Sequence, residues 1–318
     1  MDGTMPASAA TRVTTSILCT LSWQYEHESK SLERLHELAK AGSWNASTDI
    51  PWVAWPRQSE FPCSRSSNPL CGFAPYEALP EDRQRELSWW QHGLEISEIL
   101  HGEQAALQIS AQLVQLLPDM QLKLLCSAQV HDEARHVEFF ARYLRNTVGV
   151  IHPPSDALRG LIQRALQEAS WERKLLYCQV LIESLALARL QELRRHCRAP
   201  ALRHAVDYIL RDEARHVHFG TERLRQHIAD MDQPTRDDCS LSLLDATLAL
   251  AGSLNIYTRI ATAQGWPLPA MRRHLREYRL QHPELNRDRF RQLALNMQAV
   301  GLLTPAFKTQ LESLNLLG

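Results

Sequence analysis

The six residues "DEARHV" occupy Asp132–Val137 and recur, letter for letter, at Asp212–Val217, eighty positions further on. Each copy places a glutamate and a histidine three residues apart: Glu133 with His136, and Glu213 with His216. On a helix, at roughly 100° per residue, such a pair projects about 60° apart on one face. A carboxylate and an imidazole on one face can bind the same metal ion. One Glu-x-x-His arises often by chance. Two identical copies ask for a common cause.

Two further glutamates complete a pattern. Glu103, in "HGEQAAL", precedes Glu133 by 30 residues, and Glu183, in "LIESLAL", precedes Glu213 by 30. The midpoints, 118 and 198, fall on the turn sequences Pro118-Asp119 and Arg198-Ala199-Pro200. A helix that runs about fifteen residues to a turn and fifteen back returns to its starting height, roughly 22 Å from the turn. Glu103 is therefore expected to face Glu133 and His136 across one helical hairpin, and Glu183 to face Glu213 and His216 across a second. Both single glutamates lie in apolar stretches, where an unpaired charge is costly. Two such hairpins packed together give a four-helix bundle with four carboxylates and two imidazoles at its centre. That is the ligand set of a dinuclear carboxylate site, and its oxygen-rich donors suit iron or manganese.

The neighbouring residues fit around this centre. A metal-bound histidine usually donates its other ring N–H to a carboxylate or carbonyl, and Asp132 and Asp212 are placed to orient the histidine of the opposite motif. Arg135 and Arg215 are expected to pair with those aspartates. One helical turn from the ligands lie the small residues Ala106, Ala186 and Gly220, with Gln129 and Gln179 one turn before Glu133 and Glu183. These are expected to line a substrate pocket, although close helix packing selects small residues too. Val137, Phe140 and Leu187 would supply an apolar wall that keeps water away, and Ile209 is a further pocket candidate.

The remainder of the chain reads as helical. Its 318 residues are 44% hydrophobic and 22% charged, with a formal net charge of −1. Such a balance gives no reason to expect nucleic acid or an anionic membrane as partner. No apolar run approaches the ~18 residues of a membrane span, and the first residues lack the basic segment of a signal peptide. Seven cysteines at scattered positions suggest reduced thiols and a cytoplasmic protein; Cys63 and Cys71, flanking a Ser/Pro-rich loop, are the pair that could join. A helix is expected over Trp23–Ala41, and an irregular, proline-rich arm with six aromatic residues over 43–80. Helices then run from about 81 to 117, to Thr147, from Ser155 to Cys197 and from 200 to 230. The chain must cross from about 148 to about 168 at the other end of the bundle, roughly 44 Å, which eight loop residues and a helix of about fourteen can span. Three segments follow: an N-terminal helix and arm (1–80), the metal-binding bundle (81–230) and a C-terminal helical extension of the same domain (231–318). The stretch 271–292 holds seven arginines against three acidic residues, a solvated face or a docking surface for an acidic partner.

On the two Glu/D-E-x-R-H units, the chain resembles the ferritin-like di-iron oxygenase superfamily over about residues 81–230, and in particular the arylamine (p-aminobenzoate) N-oxygenase group. The resemblance implies an all-α, ferritin-like fold with two iron ions, or manganese or a mixed Mn/Fe pair, held by Glu103, Glu133, His136, Glu183, Glu213 and His216. It implies O2 as co-substrate and a small organic substrate, free or carrier-bound, that undergoes N-oxygenation or hydroxylation. An external electron donor is expected as well, and the added length on each side of the bundle suits a monomer or a homodimer. The chain departs from related patterns at three positions. Ile209 stands where that group has an extra histidine ligand. Phe140 stands where ribonucleotide reductase small subunits have a radical tyrosine, and Leu187 where multicomponent hydroxylases have a threonine. The alternatives are a metal-oxidising storage protein and an oxidase like the reductase subunit.

Overall fold

The computed structural model describes residues 12–25, 29–252 and 255–313, without the side chains of 251, 252, 255 and 283–289. Among the described residues regular structure is helical. α1 (Lys30–Ala41) is followed by an irregular arm holding one 3-10 turn (Arg65–Ser67) and the short α2 (Ala74–Glu77). Then come α3 (Glu81–Leu116), α4 (Met120–Tyr143), α5 (Asp156–Gln167), α6 (Trp171–Leu175), α7 (Glu183–His196) and α8 (Pro200–Ala229). α9 (Gln233–Gly252), α10 (Asn255–Gln264), α11 (Leu268–Gln281), α12 (Pro283–Ala299) and α13 (Pro305–Ser313) complete the chain. None of the described helices is long and apolar enough to cross a membrane.

The boundaries have local causes. Glu81 and Asp82 open α3, where carboxylates oppose the positive end of the helix dipole. The Asp119 side chain accepts the Leu122 N–H at 2.8 Å and starts α4. Five π-helical residues (Leu144–Val148) lengthen α4 before Gly149, at φ 87°, ends it. Ser155 caps α5, accepting the Leu158 N–H at 3.2 Å. Pro200 enters α8 in its first turn, where a missing N–H costs nothing. Between α6 and α7 the helix is wound as π over Leu176–Ile182.

α3 packs against α4, α7 against α8, and α4 against α8; the crossover helix α5 lies on α3. This is a ferritin-like four-helix bundle. Two apolar layers flank the centre, and a third cluster packs Leu87 and Leu94 of α3 against Phe73, Ile260 and Met271. Along each long helix one layer lies before and the other after the candidate ligand: Ile96 and Leu100 before Glu103, Ile109 and Leu113 after it. The polar centre is thus closed above and below by hydrocarbon. α9, α12 and α13 contribute Leu243, Leu293 and Phe307 to the layer that holds Ile109 and Leu113.

Two expectations need correction. The first helix begins at Lys30 rather than Trp23. Ser29 supplies the cap, accepting the Leu32 N–H at 3.3 Å, while Trp23 stands non-helical and 77% exposed; residues 26–28 lie outside the described residues. Apolar spacing alone placed the start too early; of the three spaced leucines only Leu32 and Leu35 are drawn into the core, with Ala39. Secondly, all seven thiols are free, and the residue opposite Cys63 is Cys197, in an isolated antiparallel bridge. The arm is otherwise irregular and anchored by burial of Trp44, Phe61, Phe73 and Tyr76, with Trp52 and Trp55 half-buried. Of the arginine-rich stretch, the side chains of 283–289 lie outside the described ones.

Candidate metal centre

The structure brings all six candidate ligands together. Glu103, Glu133, His136 and Glu213 offer ligand atoms within 4.8 Å of one another, and so do Glu133, Glu183, Glu213 and His216. None is more than 5% exposed. Glu133 and Glu213 belong to both sets, one oxygen turned to each. The His136 Nδ1 lies 3.3 Å from Glu133 Oε2 and 3.2 Å from Glu213 Oε1. The His216 Nδ1 lies 3.2 Å from Glu133 Oε1 and 3.4 Å from Glu213 Oε2. Glu103 and Glu183 each serve one set, with oxygens 3.1 Å from His136 Nδ1 and 3.7 Å from His216 Nδ1. The hairpins account for this placement: the thirty-residue spacing brings both partners of each hairpin to one height.

The far nitrogen of each imidazole reaches the other hairpin. His136 Nε2 is 3.2 Å from Asp212 Oδ2, and His216 Nε2 is 3.1 Å from Asp132 Oδ2. The Arg135 guanidinium donates to Asp132 at 2.5 Å and to Asp212 at 3.3 Å. That of Arg215 donates to Asp132 at 3.1 Å and also to Asp212. With Nε2 tied to an aspartate, Nδ1 of each ring is left to face the centre. Burial alone would push the imidazole of His136 down, but Glu103, Asp212 and Glu133 outweigh it and hold it well above the usual histidine range. His216 is raised in the same way, by Asp132, Glu133 and Glu213 against burial. Burial and then the Glu213 charge push the Glu103 carboxyl up. For Glu133, burial is overcome by the two imidazoles that face it, and the carboxyl is held low.

These residues fit a pair of cations. Glu103 Oε1, Glu133 Oε2, both oxygens of Glu213 and His216 Nδ1 are buried with no hydrogen-bond partner. Such groups are costly unless something else satisfies them. Four ionised carboxylates carry four negative charges, which two divalent ions would balance. The donor set lacks thiolates, so it suits hard or borderline metals.

One contributor was not legible as part of the site. Trp44, from the arm, donates its indole N–H to Asp212 Oδ2 at 2.9 Å. Its ring lies stacked with His136 (centroids 6.2 Å apart) and with Tyr208 (5.4 Å). The sequence singled it out as an anchor only; the one hint was that a buried indole N–H needs an acceptor. Cys178 was also missed. Its thiol lies 3.8 Å from Glu183 Oε1, brought there by the π-helical turn, which apolar spacing does not reveal.

The pocket-lining candidates divide. Gln129 donates to Glu133 at 3.1 Å and to Glu183 at 2.9 Å, and Gln179 donates to Gln129 at 2.9 Å. Gln179 Oε1 remains buried without a partner. The room left by Gly220 is not open: a Cβ there would sit 2.4 Å from that of Gln179, whose side chain fills the space. Ala106 is packed in one apolar layer, and Phe140 and Ile209 in the other. Ala186 is half-buried. Leu187 lies with Val217 in the wall of an open groove of about 620 Å³ between α7 and α8.

Residues 25–301 match the model of the family described as p-aminobenzoate N-oxygenase AurF. In fold, the chain is similar to solved structures of an R2-like ligand-binding oxidase. The form with an aerobically reconstituted metal cofactor after photoconversion superposes with a TM-score of 0.57 at 18% identity, covering 88% of this chain and 95% of the other. A mutant with an anaerobically reconstituted Mn/Fe cofactor gives a TM-score of 0.56 at 18% identity, covering 88% and 96%. No curated protein matches the chain in sequence. With a family match over most of its length and a paired carboxylate–histidine cluster in a ferritin-like bundle, the chain belongs to the p-aminobenzoate N-oxygenase family and is an oxidoreductase with a site for two metal ions.

Proposed function

We propose that the protein is an O2-dependent oxygenase or oxidase of a small organic molecule, with Glu103, Glu133, His136, Glu183, Glu213 and His216 as the metal ligands. The observation that carries this reading is the sharing of Glu133 and Glu213 between two four-residue sets, each completed by one further carboxylate and one imidazole. Two iron ions, or a manganese–iron pair, would supply the one-electron steps and the O2 chemistry that protein side chains lack.

The chain's own residues do the rest. Asp132 and Asp212 fix the two imidazoles, and Arg135 and Arg215 fix the aspartates. The apolar layers on either side of the centre exclude water, which protects a reactive oxidant from side reactions. Gln129 steers the Glu183 and Glu133 carboxylates. Gln179 keeps one buried acceptor free, Oε1, which suits an N–H or O–H of the substrate. An amine or hydroxyl compound that undergoes N-oxygenation or hydroxylation fits such an acceptor. Incorporating one oxygen atom from O2 while reducing the other to water takes two electrons beyond those of the substrate, so an external electron donor is part of the proposal.

The test is anaerobic Fe(II) titration followed by rapid mixing with O2, with Glu183→Ala alongside. The reading expects uptake to stop near two irons per chain, a transient absorption that the variant lacks, and its faster decay with an arylamine or a carrier-bound amine. Uptake well beyond two irons, passing straight to ferric product, would instead make this a storage protein.

A further inference from the structure

Away from the metal centre, the arm and the α7–α8 turn bring two thiols face to face. Cys63 and Cys197 are directly opposed in an antiparallel bridge. The flanking hydrogen bonds run from Ser64 N to His196 O (3.0 Å) and from Arg198 N to Pro62 O (2.9 Å). The two cysteines therefore form a non-hydrogen-bonded pair, whose Cα atoms stand about 4.5 Å apart in regular geometry. That lies within the ~4.4–6.8 Å window that a disulfide requires.

The surroundings supply what thiol chemistry needs. Cys63 is part-exposed and lines a cavity of about 60 Å³ with Gln91, His92, Glu95 and Arg189. The cavity holds a few water-sized molecules, since a single water needs about 10–15 Å³ on the same measure. Gln91 is 6% exposed, and its Oε1 is buried without a partner in this wall. His92 Nδ1 lies 4.0 Å from the Cys63 sulfur, and its Nε2 lies 3.1 Å from the Tyr143 hydroxyl. Cys197 caps the end of α7 three residues before Pro200, the first residue of α8, and its thiol is held below the usual range, first by its hydrogen bond with Cys63 and then by the Ala199 and Arg198 backbone.

We propose that Cys63 and Cys197 are a peroxide-reactive dithiol that closes into a cross-strand disulfide. His92 takes the Cys63 proton, and the thiolate attacks one oxygen of hydrogen peroxide. The O–O bond breaks, and the departing hydroxide takes the proton back from His92 as water. The Cys197 thiolate then displaces the hydroxyl from the sulfenic acid of Cys63; with the proton that Cys197 gave up, this leaves as a second water. Two thiols are oxidised, one peroxide is reduced, and two waters form. The oxidant is a small hydroperoxide. That the metal centre supplies it, by turning over without substrate, rests on the proposed function; the dithiol itself does not. The bond would tie the arm that carries Trp44 to the turn between α7 and α8.

The test uses the full chain, reduced and loaded with zinc, which does no redox chemistry. It is treated with equimolar hydrogen peroxide, quenched with a thiol reagent and mapped by peptide mass. The proposal expects a Cys63–Cys197 linked peptide, a loss of about 2 Da per chain, and reversal by dithiothreitol. Cys63→Ser and Cys197→Ser should each lose the link, and His92→Gln should slow its formation about tenfold at neutral pH without changing the circular dichroism. A Cys63–Cys71 link, over-oxidised Cys63 without a link, or two unreacted thiols would each overturn it. The iron-loaded protein, given O2 and reductant with and without catalase, tests the source of peroxide. If added peroxide forms the link and turnover does not, the dithiol stands and its supply by the metal centre falls.

Discussion

The two copies of "DEARHV" have the same letters and unequal surroundings. Around Asp132 the partners are Arg135, Arg215 and His216. Around Asp212 the indole of Trp44 is added, and Arg135 lies beneath that indole, 5.4 Å from its centroid. Shifting by the eighty-residue repeat sharpens the contrast. Gln129 corresponds to Ile209, Gln179 to Ile99 and Gly220 to Phe140. On one side of the centre the Gln129 amide contacts two candidate ligand carboxylates and is itself held by Gln179; on the other, Ile209, Phe140 and half-buried Ile99 belong to an apolar layer. The repeated residues form a metal-binding set that is nearly two-fold. The unrepeated residues give it a polar side and an apolar side.

The contrast can be broken at its strongest point first. Glu133→Ala or Glu213→Ala removes a donor from both sets and should leave under half a metal ion per chain, with activity down by at least about a hundredfold. Glu103→Ala touches one set and should retain about one ion. Metal analysis of purified variants decides; if Glu103→Ala empties the protein as fully as Glu213→Ala, the sharing is wrong. Asp212→Asn and Asp132→Asn come next. Each should weaken metal binding by about 10- to 100-fold, and Asp212→Asn more, because it also loses its charge-assisted bond to the indole. Equal losses in competitive metal titration would mean that Trp44 contributes only burial.

The third effect is on stability. Gly220→Ala must displace Gln179 and should destabilise by about 1–3 kcal/mol, with loss of the Gln179–Gln129 hydrogen bond. Gly160→Ala, in α5 with nothing within 4 Å of the added methyl, should stabilise by about 0.5–1 kcal/mol. Chemical denaturation of the two variants gives opposite signs if Gly220 is there to admit Gln179. The smallest effect concerns acid. His152, at the crossover, is 4% exposed, and neither ring nitrogen has a partner. Burial, then Arg259, pushes its pKa down to about 4 from 6.5. The unfolded chain therefore binds this proton more tightly, and the stability it contributes is full above pH 6.5 and lost as the pH falls toward 4. His152→Phe should flatten the pH dependence of the denaturation midpoint in that window; an unchanged slope would assign acid sensitivity to the metal centre instead.

Much of the site was legible because a dinuclear centre constrains sequence in a periodic way. Glu and His three apart share a helix face, and equal thirty-residue spacings bring hairpin arms to one height. The turns, caps and crossover followed from Pro118, Asp119, Gly149, Ser155 and Pro200, whose backbone preferences act locally. The start of α1 was not legible, since Leu38 keeps the apolar spacing yet is 47% exposed. The filling of the Gly220 space was also hidden, because a small residue marks close approach without saying what approaches.

The sequence by itself determined the helical class, the two hairpins and the six residues at their common height. These depend on periodicity and on turn chemistry, which are local. Only the tertiary structure decided that Glu133 and Glu213 each face both sets, that Trp44 closes over Asp212, and that Cys63 opposes Cys197 rather than Cys71. Trp44 and Asp212 are 168 residues apart and Cys63 and Cys197 are 134 apart, with no periodic relation. Such contacts are fixed by how side chains fill the space between packed elements, and one chain's order of letters does not record that.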